Sequence, residues 1–159
     1  MGKAKVYLSA RIHPEAHAWS EAVSAAAEEN GKIAVFQPHL HNPCNVAHEK
    51  LQPEVYEMDL QAMEEAQICL ALPPFGRDCA WETGWFSRDS KKCLVIFIDE
   101  HTEWLRDWMI KGGLDGVITI NPKTYEILSR DPILRGKPIF LIDKLGELGD
   151  TLLAFLPNK

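Results

Sequence analysis

Residues 67–85 read QICLALPPFGRDCAWETGW, and this stretch decides the fold. Its first six residues form an apolar run of the length expected for a buried strand. A loop containing two prolines and a glycine follows at 73–76, and a helical pattern with tryptophans four residues apart begins directly after it. A strand, a tight loop and a helix in succession are typical of a parallel sheet covered by helices.

The same alternation extends along the chain in both directions. Apolar runs of strand length lie at 6–10, 32–36, 67–72, 93–98, 116–120 and 138–142. Helical patterns lie between and after them, at 14–29, 53–66, 78–87, 122–128 and from Gly149 onward, with a short helix capped by Thr102 and ended by Gly112 and Gly113. We therefore predict one α/β domain over residues 1–159, a three-layer flavodoxin-like or Rossmann-like sandwich with a mostly parallel sheet of about five strands.

Charge and composition exclude several classes of partner. The 159 residues include 17 Lys and Arg against 23 Asp and Glu, and no basic run occurs, so a nucleic-acid polymer is not expected to bind. The apolar run at 93–98 is far shorter than the roughly 20 residues of a membrane-spanning helix. No signal-peptide pattern begins the chain, and two of the four cysteines lie in strand-like runs, so we expect a reducing, cytoplasmic location.

Candidate chemistry lies at the carboxyl ends of the predicted strands, where α/β sheets bind ligands. The loops there begin near Ser9, Gln37, Pro73 and Asp99. Past Pro73, a helix starts in which Asp78 and Glu82 share one face, and the free N–H groups of its first turn favour ionised carboxylates. A positioned carboxylate can act as a nucleophile. The alternative is that Asp78 caps the helix and Glu82 is a solvated acid.

Four segments resemble the nucleoside 2-deoxyribosyltransferases and the related nucleotide N-glycoside hydrolases. Residues 6–9, VYLS, resemble the family's first strand, whose tyrosine orients a catalytic glutamate, and residues 80–84, AWETG, resemble the core of its nucleophile motif. Asp59 resembles the helix-borne active-site aspartate. Residues 107–109, DWM, fall where the family carries Asn-x-Met, a segment that reaches the sugar in a neighbouring subunit.

This resemblance implies an enzyme that cleaves the N-glycosidic bond of a nucleoside or nucleoside monophosphate, with hydrolysis and transfer to a second base both open. Glu82 would be the nucleophile under an oxocarbenium-like transition state, Tyr7 would orient it, and Asp59 would supply the proton for the departing base. The residues expected to bind substrate are Ser9, Arg11, His39, Asp78, Trp81, Asp107 and Met109. No cofactor and no metal are implied, and a homodimer or larger assembly would complete its sites across the interface.

The chain departs from the family pattern at three positions. Gly76 stands where the transferases carry an aspartate that helps to recognise the base, and Asp78 stands where they carry a glycine. Asp107 replaces the expected asparagine and is unfavourable beside a phosphate unless a cation such as Arg11 intervenes. The first departure leaves base transfer in question, and Arg11 keeps a 5′-phosphate among the possible ligand groups.

Two other functions compete with the enzyme. The altered loop at 76–79 is compatible with a nucleotide-binding or sensor domain that has little or no turnover. A phosphoacceptor receiver domain is excluded because Ala10, Arg11 and Pro73 occupy the places of its acidic residues. The residue types that bind zinc are clustered in one stretch, but their spacing matches no established motif. That stretch contains His39, His41, Cys44 and His48.

Overall fold

The computed structural model describes residues 2–41, 52–100 and 103–156. In these residues six strands form one parallel sheet with the order β2-β1-β3-β4-β5-β6. They are β1 (Ala4–Ser9), β2 (Ile33–Phe36), β3 (Ile68–Ala71), β4 (Cys93–Ile98), β5 (Gly116–Thr119) and β6 (Ile139–Leu141). The predicted α/β class is confirmed, and the short edge strand β6 brings the sheet to six strands.

The helices follow the strands much as the sequence predicts. They are α1 (Pro14–Glu28), α2 (Gln52–Glu65), α3 (Arg77–Ser87), α4 (Trp108–Gly113), α5 (Pro122–Ser129) and α6 (Leu148–Leu153), with single 3₁₀ turns at Pro38–Leu40, Glu103–Arg106 and Leu145–Glu147. Proline begins both α1 and α5, where its fixed φ suits the first helical position. Among the residues described, no helix combines the length and apolar character needed to cross a membrane.

The predicted short helix after β4 is two elements. A 3₁₀ turn ends at Arg106, and α4 begins at Trp108 after Asp107, which has a non-helical conformation at the N-cap position. Thr102, the expected cap, lies outside the described residues. The break places Asp107, Trp108 and Met109 at the start of a separate helix.

The two faces of the sheet carry different partners because side chains alternate along a strand. On β1, Val6 and Leu8 belong to the core under α1 and α6. Tyr7 belongs to the opposite core, with Phe86 of α3 and Met63 of α2. Ser9, two residues after Tyr7, therefore faces α3 as well.

The site-forming edge lies where the strand order reverses. Strand β2 lies on one side of β1, whereas β3 and the later strands lie on the other side, so the direction in which strands are added reverses at β1. Ser9, at the carboxyl end of β1, pairs with Ala71 at the carboxyl end of β3. Helix α3 starts just beyond β3, so its first turns stand above a switch point, the place where such sheets bind ligands.

Candidate active site

Two buried hydroxyl groups hold the carboxylate of Glu82. The Tyr7 hydroxyl donates to Oε1 at 2.8 Å, and the Ser9 hydroxyl donates to Oε2 at 2.5 Å. Tyr7 and Ser9 are fully buried in β1, and Glu82 in α3 is half-buried. Because each oxygen has its own donor, the carboxylate is fixed in position and in orientation.

Aromatic packing aims the Tyr7 hydroxyl at Glu82. The Tyr7 ring stacks on Phe36 of β2 at 5.7 Å between centroids and lies 6.0 Å from Phe86 of α3. Phe86 is one turn after Glu82 on the same helix and is fully buried. Helix α3 therefore supplies both Phe86, which packs on the Tyr7 ring, and Glu82, which accepts the hydrogen bond from its hydroxyl.

Burial and neighbouring charges act in opposite directions on Glu82. Burial raises the pKa of Glu82, the hydrogen bonds from Ser9 and Tyr7 lower it, and the charges of Asp59 and Asp78 raise it. Burial, followed by the charge of Glu82, raises the pKa of Tyr7, so its hydroxyl stays protonated as a donor.

Asp59 is a second carboxyl group that acts electrostatically on Glu82, and its environment differs from that of Glu82. It is half-buried on α2, and burial together with the charge of Asp78 raises its pKa from 3.8 to about 6. Its Oδ1 atom is buried and has no hydrogen-bond partner among the described residues. Glu82 accepts two hydrogen bonds that favour its ionised form, whereas Oδ1 of Asp59 accepts none from the described part of the chain. The two neighbouring carboxyl groups therefore lie in different environments, as an acid and a nucleophile in one site would require.

Removal of the phenol hydroxyl tests how Glu82 is held. In Tyr7→Phe the carboxylate loses a donor to its ionised form, so the pKa of Glu82 is expected to rise further. A reaction that needs ionised Glu82 would then lose rate mainly at low pH, and the acidic limb of its pH–rate profile would move to higher pH. Ser9→Ala should act in the same direction.

A matched control is available on α5. Tyr125→Phe removes a phenol hydroxyl from a half-buried tyrosine that has no contact with Glu82 in the described structure. It is expected to leave the profile unchanged. An acidic limb that stays in place in both Tyr7→Phe and Ser9→Ala would contradict the role of these hydroxyls.

Asp78 and Arg11 flank the start of α3. Gly76 is the N-cap residue of this helix, so Asp78 is not the cap; its exposed carboxylate acts electrostatically on both Asp59 and Glu82. A side chain added at Gly76 would start 3.8 Å from Cγ of Arg11, so the stem of the arginine lies against this loop. Arg11 also lines a cavity of about 570 Å³ on the α1 side of the sheet, and it forms no ion pair within the described part of the chain.

The structure does not bring His39 to Glu82. His39 is buried beside α1, where its ring stacks on His17 at 4.6 Å, and its Nε2 lies 3.7 Å from Oε1 of Glu21. Burial, with the neighbouring His17, lowers the pKa of His39. His41 lies nearer the site, since its ring stacks on Phe36 at 4.9 Å. Cys44 and His48 lie outside the described residues.

Three further residues expected to bind substrate lie at the surface of the chain. Trp81 is 52% exposed and Met109 is 89% exposed, and both line a groove of about 500 Å³ between α3 and α4. Asp107 is exposed at the start of α4. Trp81 therefore does not enclose Glu82, which Tyr7 and Ser9 hold instead.

Ser9 is also a ligand of the carboxylate. The sequence predicts it as a substrate-binding residue, and in the structure its hydroxyl donates to Glu82. A signal was present in the sequence, because Tyr7 and Ser9 are two residues apart on a strand and must share a face. Phe36, which packs on Tyr7, was not singled out at all.

Comparison with known proteins gives a fold but no sequence family. A scan against protein families finds no match, and no curated protein matches the sequence. Among solved structures, the chain is similar to a 2-deoxyribosyltransferase from Bacillus psychrosaccharolyticus, with a TM-score of 0.56 and 21% sequence identity over 72% of this chain and 85% of that chain. At this identity the similarity shows that the two proteins share an α/β fold.

Proposed function

We propose that this protein is an enzyme that breaks the N-glycosidic bond of a nucleoside or nucleoside monophosphate, with Glu82 as the nucleophile. The observation that carries the proposal is the pair of buried hydroxyls on Glu82, at 2.8 and 2.5 Å from its two oxygens. A merely structural acid at the surface of a helix would not need both. The shared fold with a 2-deoxyribosyltransferase and the resemblance of residues 80–84 support the same conclusion.

In the proposed reaction, an oxygen of Glu82 attacks C1′ of the sugar as the bond to the base breaks. The electron pair of that bond leaves with the base, which takes the proton of Asp59. The ionised carboxylate stabilises the positive charge that develops at C1′, and its oxygen then bonds to C1′ to form an ester of Glu82. Asp59, now ionised, accepts a proton from the water or second base that attacks the ester and frees Glu82.

The charges around Glu82 bear on which substrates fit. Three carboxyl groups, those of Glu82, Asp59 and Asp78, act on one another electrostatically. A 5′-phosphate would add negative charge nearby, and Arg11 is a cation placed beside the start of α3 to offset it. The proposal therefore includes both nucleosides and nucleoside 5′-monophosphates as substrates.

A substrate panel tests the proposed function. Purified protein is incubated with ribo- and deoxyribonucleosides and their 5′-monophosphates, with and without a second free base, and products are separated by liquid chromatography. Free base with free sugar indicates hydrolysis, and a new nucleoside indicates transfer. Thermal stabilisation by a nucleotide without any product, across the whole panel, would contradict catalysis and favour a binding or sensor domain.

The exposed residues of α3 and α4 support a homodimer or larger assembly as part of this proposal. Trp108 is 73% exposed and lines a groove with Met109, and Met109 lines a second groove with Trp81. Large exposed apolar side chains grouped in this way are typical of an interaction surface. Aromatic residues and methionine are the types enriched at the cores of interfaces. By resemblance, residues 107–109 of one subunit would then reach the sugar bound to another.

An interface variant tests this assembly. In Trp108→Ala combined with Met109→Lys, the apolar surface is lost, and light scattering after gel filtration is expected to show a shift towards monomer. Base release should fall by about tenfold or more, because a substrate contact is lost with the interface. Ile127→Lys on α5, a position that is 49% exposed, is the matched control and should change neither property. A monomeric wild type with full activity would contradict the assembly.

A further inference from the structure

Helix α2 is fixed mainly at its carboxyl end. Met63 and Ala66 there are buried in the core, whereas residues 53, 54 and 56–58 near the amino end are exposed. Asp59 stands midway along the helix. A change in the tilt of α2 about this buried end, its pivot, would move Asp59 relative to Glu82 on α3.

Lys92, just before β4, binds this pivot. Its Nζ donates to the main-chain carbonyl oxygens of Met63, Glu64 and Ala66 at 3.0, 2.8 and 2.6 Å. A helix leaves its last carbonyl groups without partners inside the helix, and a positive charge is favourable at that end. All three donors of the ammonium group are thus used on the end of α2.

The same ammonium group also contacts α3. It lies 5.3 Å from the centroid of the Trp85 ring and 5.6 Å from that of Phe86. A cation over an aromatic ring is attracted to it, more strongly when the pair is partly shielded from water. Phe86 in turn packs on the Tyr7 ring, so Lys92 joins the end of α2 to the helix and the tyrosine that hold Glu82.

The other ties at this end of α2 are on the surface. Lys5 pairs with the carboxylate of Glu65, with side chains about half exposed, and the side-chain amide of Gln67 donates to the main-chain oxygen of Glu65. Exposed ion pairs contribute little, about 0–1 kcal/mol. Neither contact reaches α3, so within the described structure Lys92 is the side chain that links α2 to α3 through its charge.

We propose that Lys92 is a positioning residue that holds α2 against α3, so that the carboxyl group of Asp59 stays half-buried beside Glu82. This inference rests on the proposed function for its catalytic consequence. The groups facing Asp59 are Asp78 and Glu82 of α3 and Tyr7 of β1. Those acting on Lys92 are Asp89 and Glu64.

The test variant is Lys92→Met, which keeps an unbranched apolar stem but removes the ammonium group, and with it the three carbonyl contacts and the positive charge over the two rings. We expect kcat for base release to fall by about tenfold or more, since small displacements of a catalytic group are costly. Water should reach Asp59 more freely, so its pKa should fall from about 6 towards 3.8. The basic limb of the pH–rate profile would then move to lower pH. Lys92→Arg, which retains donors, should recover part of both properties.

Lys91→Met is the matched control, because the neighbouring Lys91 is exposed and its main-chain N–H, not its side chain, contacts Asp89. It should behave as wild type. If Lys92→Met lowers only the melting temperature and leaves the pH–rate profile unchanged, Lys92 is structural and the inference is overturned. If Lys92→Met does not fold, Lys92→Gln is measured in the same way and judged by the same criteria.

A measurement without substrate separates this inference from the proposed function. Carbon-13 NMR of aspartate carboxyl groups in the full chain, with Asp59→Asn to assign the signal, follows the titration of Asp59 directly. If no nucleoside is cleaved but Lys92→Met lowers the pKa of Asp59, the proposed function fails and the positioning by Lys92 stands. If base is released and neither the titration nor kcat differs between Lys92→Met and Lys91→Met, the reverse holds.

Discussion

Replacement of Glu82 by glutamine is expected to lower kcat for base release by about a thousandfold, with little change in the fold. The amide is neutral, so it can neither stabilise the positive charge at C1′ nor trap the sugar as an ester. In the wild type the hydroxyls of Tyr7 and Ser9 each donate to one carboxylate oxygen. The amide replaces one of these acceptor oxygens with an NH₂ donor, so one of the two hydrogen bonds is lost. Release of free base at saturating substrate measures the effect.

Chemical rescue identifies the role of Glu82 more directly. In Glu82→Ala the carboxylate is absent, and added azide can attack C1′ in its place. The base departs with the electron pair of the glycosidic bond and takes the proton of Asp59. The product is a glycosyl azide, which mass spectrometry detects. Glu126→Gln, an exposed acid on α5, is the control and should retain wild-type rates. A Glu82→Gln variant that works as fast as the wild type would exclude Glu82 as the nucleophile.

The fold was predictable because its signals are local. Short apolar runs that alternate with helical patterns favour a parallel sheet, and each of these signals lies within a few neighbouring residues. The break before α4 was missed although its signal was present, since aspartate is a preferred N-cap residue and Asp107 occupies that position. Strand β6 has only three residues and lies at the edge of the sheet. So short a strand is hard to count from its sequence pattern, and the sheet was predicted with about five strands.

The site was predictable only as far as motifs and strand alternation reach. Tyr7 and Glu82 were found by resemblance, and Ser9 could have been placed on the same face as Tyr7 by its spacing. The position of His39 could not, because it depends on how the turn after β2 packs on His17 of α1. Trp81 lies on the outside because adjacent helix residues point about 100° apart, so the side of α3 that buries Glu82 exposes Trp81.

The contribution of Lys92 shows what a sequence leaves out. A lysine before a strand is ordinarily a surface residue, and its neighbour Lys91 is one. Only the tertiary arrangement brings the Lys92 ammonium group to three carbonyl oxygens some 26 to 29 residues away along the chain. Long-range contacts of this kind have no local pattern, so periodicity cannot reveal them.

Asp59→Asn is expected to lose activity and to gain stability at the same pH. As the proton donor to the departing base, Asp59 should contribute roughly 10² to 10⁴ in rate, and the wild-type rate should fall as the pH rises through about 6 and the group ionises. The variant should be slow throughout and lack this basic limb. Asp78→Asn removes a like charge that raises the pKa of Asp59, so its basic limb should move to lower pH.

The stability of the Asp59→Asn variant changes in the opposite direction to its activity. The pKa of Asp59 is about 6 in the folded protein and near 3.8 when unfolded, so the folded state binds its proton more tightly. Stability is therefore lost as the pH rises from about 4 to 6, and the loss is complete above that range. The neutral amide of the variant has no charge to bury, so the melting temperature should exceed that of the wild type at pH 7 and match it below pH 4. A wild type that is less stable than Asp59→Asn at pH 7 and yet releases base faster would show the trade-off between stability and activity that is expected of an active-site group. Equal melting temperatures at pH 7, together with wild-type rates, would show that Asp59 is neither buried nor the acid.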